Sequence, residues 1–266
     1  MRVPVTKKRI PKKISWDIMN FKGDTEGQAI LRDQMTKKVK KLERGRYISE
    51  ILRVLRPKMN LLDIGCGTAH IISELASCCK TATFAGLDIS PAMLKVANVN
   101  TIESRNVVLV EGDGLNLPFP DCTFNVVITR LAEYSPQEAC RVLRKKGYFF
   151  EYGLGPEADK EILEFFPERI EKENFFFPKN LTEWKQEVCE EYNDTSFVIK
   201  SIEDYKEKEY YENEDELMDL IEMVPLVENF DREKDRKMIS QLAEKYREKK
   251  GIKITWHYYI VQARRL

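Results

Sequence analysis

Between residues 60 and 153 the chain alternates short apolar runs with stretches of helical period. Runs at 60–64, 81–88, 106–111, 124–129 and 147–153 predict five strands. Residues 71–78, 92–99 and 137–143 predict helices between them, with Ser90 as a cap and Pro91 in the first turn of the second. Upstream, 28–55 reads as helix: Tyr47, Ile48, Ile51, Leu52 and Leu55 recur at three- and four-residue steps until Pro57 stops the pattern. Strands this apolar, separated by helices, predict a parallel sheet covered on both faces, an α/β doubly wound domain.

After residue 153 the rhythm changes. Helices are expected at 157–170 and 181–192, an extended run at 197–211, and helix again over 214–248 with a break at Pro225. Ile254, Trp256, Tyr258 and Ile260 alternate, so 253–264 predicts a final strand. The separation of Ser201 from Lys253 is long for a loop in a compact domain, and an inserted helical cap accounts for it. The expected organisation is therefore a basic arm and helix at 1–40, a nucleotide-binding core at 41–155, a helical and aromatic cap with one or more core elements at 156–252, and a last core strand at 253–266.

The chemistry is concentrated after the first strand. Asp63-Ile64-Gly65-Cys66-Gly67-Thr68-Ala69 runs straight into the helical pattern that starts at Ile71. Glycine permits positive φ and close approach of a ligand to the main chain, and the new helix presents unpaired N–H groups. A dinucleotide fingerprint would need a glycine at His70, and no Gly-Lys-Ser/Thr follows, so both phosphate-binding patterns fail. Asp63 matters more: a carboxylate there repels a pyrophosphate and suits a cation. Asp88, Asp113 and Thr129-Arg130 end the next three strands, at the edge where such sheets bind ligands.

These residues resemble the S-adenosylmethionine (SAM) loop of class I, Rossmann-like methyltransferases of the type 11 kind, Asp/Glu-x-Gly-x-Gly-x-Gly, with Ala69 in place of the third glycine. The resemblance covers about residues 40–155 and weakly the last twenty. It implies SAM as cofactor, S-adenosylhomocysteine as product, no metal, and an antiparallel edge strand at the C-terminus. It also implies roles: Asp63 for the methionine amino group; Gly65, Cys66 and Gly67 for the close main chain; Asp88 for the ribose hydroxyls; Ile89 and Met93 flanking adenine. Gly112, Asp113 and Gly114 would meet the adenine amino group, and Thr129 and Arg130 would line the methyl end. Glu133 and Tyr134 are candidates for a base, with His257 a weaker one. The family's Leu-Lys-Pro-Gly-Gly turn appears altered, as Leu143-Arg144-Lys145-Lys146-Gly147. The Asp/Asn-Pro-Pro-Tyr signature of adenine and glutamine amino-methylating enzymes and a Pro-Cys nucleophile are both missing.

Composition narrows the setting. No apolar run approaches the ~20 residues of a membrane span, and the basic N-terminus lacks the apolar core of a secretory signal; a cytoplasmic protein is expected. Six scattered cysteines without Cys-x-x-Cys, and only two histidines, predict reduced thiols and no zinc. The net charge is zero but unevenly placed: residues 1–58 hold 17 Lys/Arg against 6 Asp/Glu, and 151–240 hold 12 against 27. Three classes stay open: methyl transfer to a small molecule beneath an aromatic cap (Trp16, Phe175, Phe176, Phe177, Trp184, Tyr210, Tyr211), methylation of RNA held by the basic arm, or a catalytically inactive SAM-binding partner subunit. The acidic second half would repel RNA, which favours the small molecule.

Overall fold

A computed structural model describes residues 25–38, 42–170, 181–223 and 226–266. Two helices, α1 (Glu26–Lys38) and α2 (Leu42–Val54), precede the alternating core: β1 (Asn60–Ile64), α3 (His70–Cys78), β2 (Thr83–Asp88), α4 (Pro91–Asn100), β3 (Val107–Glu111), β4 (Phe124–Arg130), α5 (Pro136–Val142) and β5 (Leu143–Leu154). Then come α6 (Lys160–Phe165), α7 (Leu181–Glu190), β6 (Phe197–Tyr211), α8 (Glu214–Met223), α9 (Arg236–Tyr246), β7 (Arg247–Glu248) and β8 (Gly251–Arg265). The strands form one sheet in the order β3-β2-β1-β4-β5-β8-β6, with β7 paired to β8. The first five are parallel; β8 runs antiparallel to both β5 and β6. This is the expected doubly wound sheet with an antiparallel C-terminal edge.

Two apolar layers cover the sheet. On one face, Tyr47, Ile48 and Ile51 of α2 and Ile71, Ile72 and Leu75 of α3 pack on Leu61, Val126, Ile128, Phe150 and Tyr258. The Tyr47 hydroxyl donates to the carbonyls of Thr129 (2.9 Å) and Phe150 (3.2 Å), pinning α2 to β4 and β5. On the other face, Ala139 and Val142 of α5 and Trp184 and Val188 of α7 pack on Leu62, Val127, Phe149 and Val261. The period-2 alternation of side chains places Asp63, Arg130 and Tyr152 on the α2 face at the carboxyl edge.

A third apolar cluster stands apart. β6 and β8 run on together beyond the sheet, and α6, α8 and α9 bury Ile162, Leu217, Met218, Ile221, Ile239 and Leu242 against Tyr211, Ile252 and Ile254. Of the cap expected over 156–252, α6, α8 and α9 form this cluster, whereas α7 packs on the sheet and β6 is part of it; the helices inserted between Tyr211 and Gly251 are α8 and α9.

Several expected elements differ. Within 28–55 the expected helix is carried by α1 and α2, and residues 39–41 lie outside the described residues. The helix expected over 157–170 shrinks to α6: Asp159 at its start is left-handed, φ 54°, and Pro167 disfavours helical backbone at Phe166. The helix expected over 214–248 is two helices, with residues 226–235 folded into turns onto which Arg169 docks. β5 begins at Leu143, before the altered glycine turn. The basic arm at 1–24 and the Phe175–Phe177 run lie outside the described residues.

Candidate active site

The turn after β1 takes the conformation its glycines permit. Gly65, Gly67 and Ala69 have φ of 71°, 53° and 64°, so Ala69 accepts a left-handed backbone where the resembling motif has glycine, at a cost of about 1 kcal/mol. The amides of Gly65 and Cys66 both donate to the Leu87 carbonyl, at 2.8 and 2.9 Å, which ties the turn to the end of β2. A side chain at Gly67 would meet nothing within 4 Å; main chain and open space face each other there. Cys66 packs on Gly86, whose missing Cβ would lie 3.0 Å from its sulfur.

Asp88 links two elements. Its Oδ2 accepts from the Gly67 amide (2.7 Å) and its Oδ1 from the Ser90 amide (2.9 Å), while Ser90 Oγ caps α4 by accepting from the Met93 amide. A carboxylate has about four acceptor positions, so capacity for hydroxyl donors is retained. Asp63 is buried, and burial followed by repulsion from Asp88 pushes its carboxyl up to about 8, against the attraction of Arg130. The Arg130 guanidinium lies 4.9 Å from the Tyr152 ring centre. A cation bound beside Asp63 would stabilise its ionised form.

Asp113 behaves differently from Asp88. Its Oδ1 accepts from the Leu115 amide two residues on (2.8 Å), shaping its own turn. Gly114 is required by proximity: a Cβ there would lie 2.4 Å from the Glu133 carbonyl, so the turns after β3 and β4 touch. Ile89 is half-buried beside Asp88, and Met93 is buried in the first turn of α4. Gly112 packs against Leu87 and Pro118. Thr129 lies on the opposite sheet face from Arg130, buried, and its hydroxyl has no hydrogen-bond partner among the described residues. Thus Asp63, Gly65, Cys66, Gly67, Asp88, Ile89, Met93, Gly112, Asp113, Gly114 and Arg130 gather on one edge, and Thr129 turns away.

Two of the three candidate bases, Tyr134 and His257, do not gather with them. Tyr134 is buried on the α5 face, where its hydroxyl donates to Glu151 Oε2 (2.8 Å) and meets the Tyr192 hydroxyl (2.9 Å). Tyr192 also donates to Oε2, and Tyr259 to Oε1 (2.9 Å). Burial and the Glu151 charge hold the Tyr134 phenol well above its usual range, so it is an anchor rather than a base. His257 is fully buried beside Trp184, with Nδ1 accepting from the Glu157 amide (3.1 Å) and Nε2 3.5 Å from Asp204. An acceptor at Nδ1 leaves the proton on Nε2, and burial lowers the imidazole's affinity for a second one. It is a packing residue between the turn at 155–157, Trp184 and Asp204. Glu133 is exposed in the turn after β4.

The sequence reading missed a polar contact that reaches the glycine turn from α1: Asp33 against His70 and Asn100. It missed the Glu151 carboxylate as well. Neither carries a periodic signal, because each contact joins residues distant in sequence.

Residues 61–147 match a family model described as a methyltransferase domain. A demethylmenaquinone methyltransferase of Desulfitobacterium hafniense is 42% identical over 74 residues, 26% of this chain and 29% of that protein. A fatty-acid O-methyltransferase of Mycolicibacterium smegmatis is 32% identical over 110 residues, 37% of this chain and 38% of the relative. The chain thus aligns with only about three-tenths to two-fifths of these relatives' length. Among solved structures, the YcgJ protein of Bacillus subtilis superposes with a TM-score of 0.57 at 17% identity, over 83% of this chain and 98% of that one. A geranyl diphosphate methyltransferase in complex with GPP and sinefungin gives 0.51 at 14%, over 84% and 78%. A [4+2]-cyclase gives 0.55 at 18%, over 83% and 80%. The fold is that of the class I, Rossmann-like methyltransferases, and residues 61–147 are similar to their methyltransferase domain.

Proposed function

We propose that this protein transfers a methyl group from SAM to a small-molecule acceptor held under the helical insertion. The observation that carries the reading is Asp63: a buried carboxyl raised to about 8, on the carboxyl edge of the sheet, beside an open glycine turn. Asp63 would hold the donor's ammonium, Arg130 its carboxylate, and Asp88 the ribose hydroxyls. When bound, SAM supplies a methyl already activated by its sulfonium. The chain's own contribution is then to position the acceptor in line with that methyl and to exclude water. With Tyr134 and His257 occupied elsewhere, Glu133 is the candidate base left from the sequence reading, and a base is needed only for an acceptor that carries a proton at neutral pH.

The relatives' names, demethylmenaquinone and fatty-acid methyltransferase, favour a small acceptor over RNA, as does the acidic balance of 151–240 around the insertion. The likeness to a [4+2]-cyclase favours keeping a second reading, since one fold hosts several chemistries: a protein that binds SAM without transferring its methyl. Calorimetry with SAM and S-adenosylhomocysteine, then a radiolabelled-methyl screen against metabolite extracts and RNA, separates these. Label in a metabolite is the expected result. Label in RNA alone, or binding without transfer, would replace it, and no binding would end it. Among the described residues no helix is long and apolar enough to cross a membrane.

A further inference from the structure

Helix α1 lies outside the matched domain, yet it reaches the glycine turn. Asp33, buried on α1, accepts from three side chains: Asn100 Nδ2 (2.7 Å), Lys37 Nζ (2.6 Å) and the His70 ring through Nε2 (2.7 Å). His70 is the first residue of α3, immediately after Ala69. Asn100, at the end of α4, also donates to the Thr68 carbonyl (2.8 Å), inside the turn itself. One carboxylate therefore holds both sides of the last third of the loop. The same helix touches α4 and α8, so it spans from the donor edge to the inserted helices. An exposed pair, Lys95–Glu26, adds a peripheral contact to α4.

The loop needs such a hold. Its left-handed residues, Ala69 among them, are backbone states that persist only when surrounding contacts over-determine them, and Ala69 N-caps α3 without any side-chain hydrogen bond of its own. Asp33 also satisfies the His70 ring nitrogen and the Asn100 amide together, and a buried carboxylate with charged and amide donors makes strong hydrogen bonds.

We propose that α1 is a strap across the donor site and that Asp33 is its positioning residue, fixing residues 65–70 in the shape that binds SAM. The proposal rests on the donor-site reading given above. It assigns α1 a role in holding the cofactor loop and makes donor affinity depend on a residue outside the matched domain.

The full chain titrated with S-adenosylhomocysteine tests it. Asp33→Asn should raise the dissociation constant about tenfold, within the usual range of coupling between sites. His70→Gln should matter much less in the Asp33→Asn background than alone, since the two share one contact. Lys95→Ala, which removes only the peripheral pair, should leave affinity within about twofold. A folded Asp33→Asn protein with wild-type affinity, whatever its melting temperature, overturns the strap while leaving the donor site intact. Should Asp33→Asn not fold, hydrogen exchange on the wild type decides: the ligand should slow exchange in 29–37 together with 65–70, and protection confined to the loop overturns the proposal. A wild type that binds no S-adenosylhomocysteine overturns the site itself, and the strap with it.

Discussion

The Cβ that Gly65 lacks would lie 2.1 Å from the Cβ of Ala132. The turns after β1 and β4 therefore meet through a missing side chain, and Gly65 is also left-handed, φ 71°. Gly65→Ala should destabilise the fold by roughly 2–4 kcal/mol, overpacking and backbone strain acting together, as read from urea unfolding. Gly67→Ala, which meets open space, should cost only its backbone strain of about 1–2 kcal/mol.

Asp88→Ala removes the acceptor of both the Gly67 and Ser90 amides and the proposed ribose contact. SAM affinity should fall by roughly 1.5–3 kcal/mol, the range for a hydrogen bond to a charged group. Unchanged affinity in a calorimetric titration would remove Asp88 from the site.

Asp63 makes binding pH-dependent. With its carboxyl raised to about 8, the free protein is protonated there at pH 7, and a bound ammonium requires the ionised form. Binding should release a proton at pH 7 and weaken as pH falls below about 8. Calorimetry in buffers of different ionisation enthalpy reads that proton, and Asp63→Asn should abolish it.

The same shift has a consequence for stability. A carboxyl raised on folding contributes stability that is fully present below its unfolded value, near 3.8, and is lost as pH rises through about 8. The ligand-free Asp63→Asn protein should lose less stability than wild type between pH 5 and pH 8, values chosen inside that window of about 4 to 8. Melting curves across that range check it.

Tyr134→Phe separates anchor from base. Losing one hydrogen bond to Glu151 should lower stability by roughly 1.5–3 kcal/mol and leave the methyl-transfer rate within a few fold. A general base would show a loss of about a hundredfold or more.

The elements legible in the sequence were those whose signal is local. β1, β2 and β4 announce themselves as apolar runs closed by an acid or a polar residue, and Ser90-Pro91 marks the start of α4 through a cap the structure contains. Asp63 and Asp88 were placed correctly at one edge because topology, given parallel strands, leaves them nowhere else. Asp113 was at the right edge, but its carboxylate also shapes its own turn. Tyr134 was misjudged for a physical reason: Leu131, left-handed at φ 51°, lies in the turn that carries Tyr134 to the other sheet face, and no pattern in the sequence encodes that. The Asp33–His70 contact spans 37 positions and the Tyr259–Glu151 contact 108; pairings of this kind become visible only once the sheet order is known.

Tyr211 and Ile252 are neighbours across the β6–β8 ladder, so the whole excursion between them begins and ends at almost one point in space. A detour with coincident ends is topologically modular: a tight reverse turn can join the two strands, at the cost of uncovering Tyr211, Ile252 and Ile254. A shortened chain of that kind should keep the proposed donor site while losing whatever selectivity the excursion confers, which makes this junction the natural place to graft a different specificity.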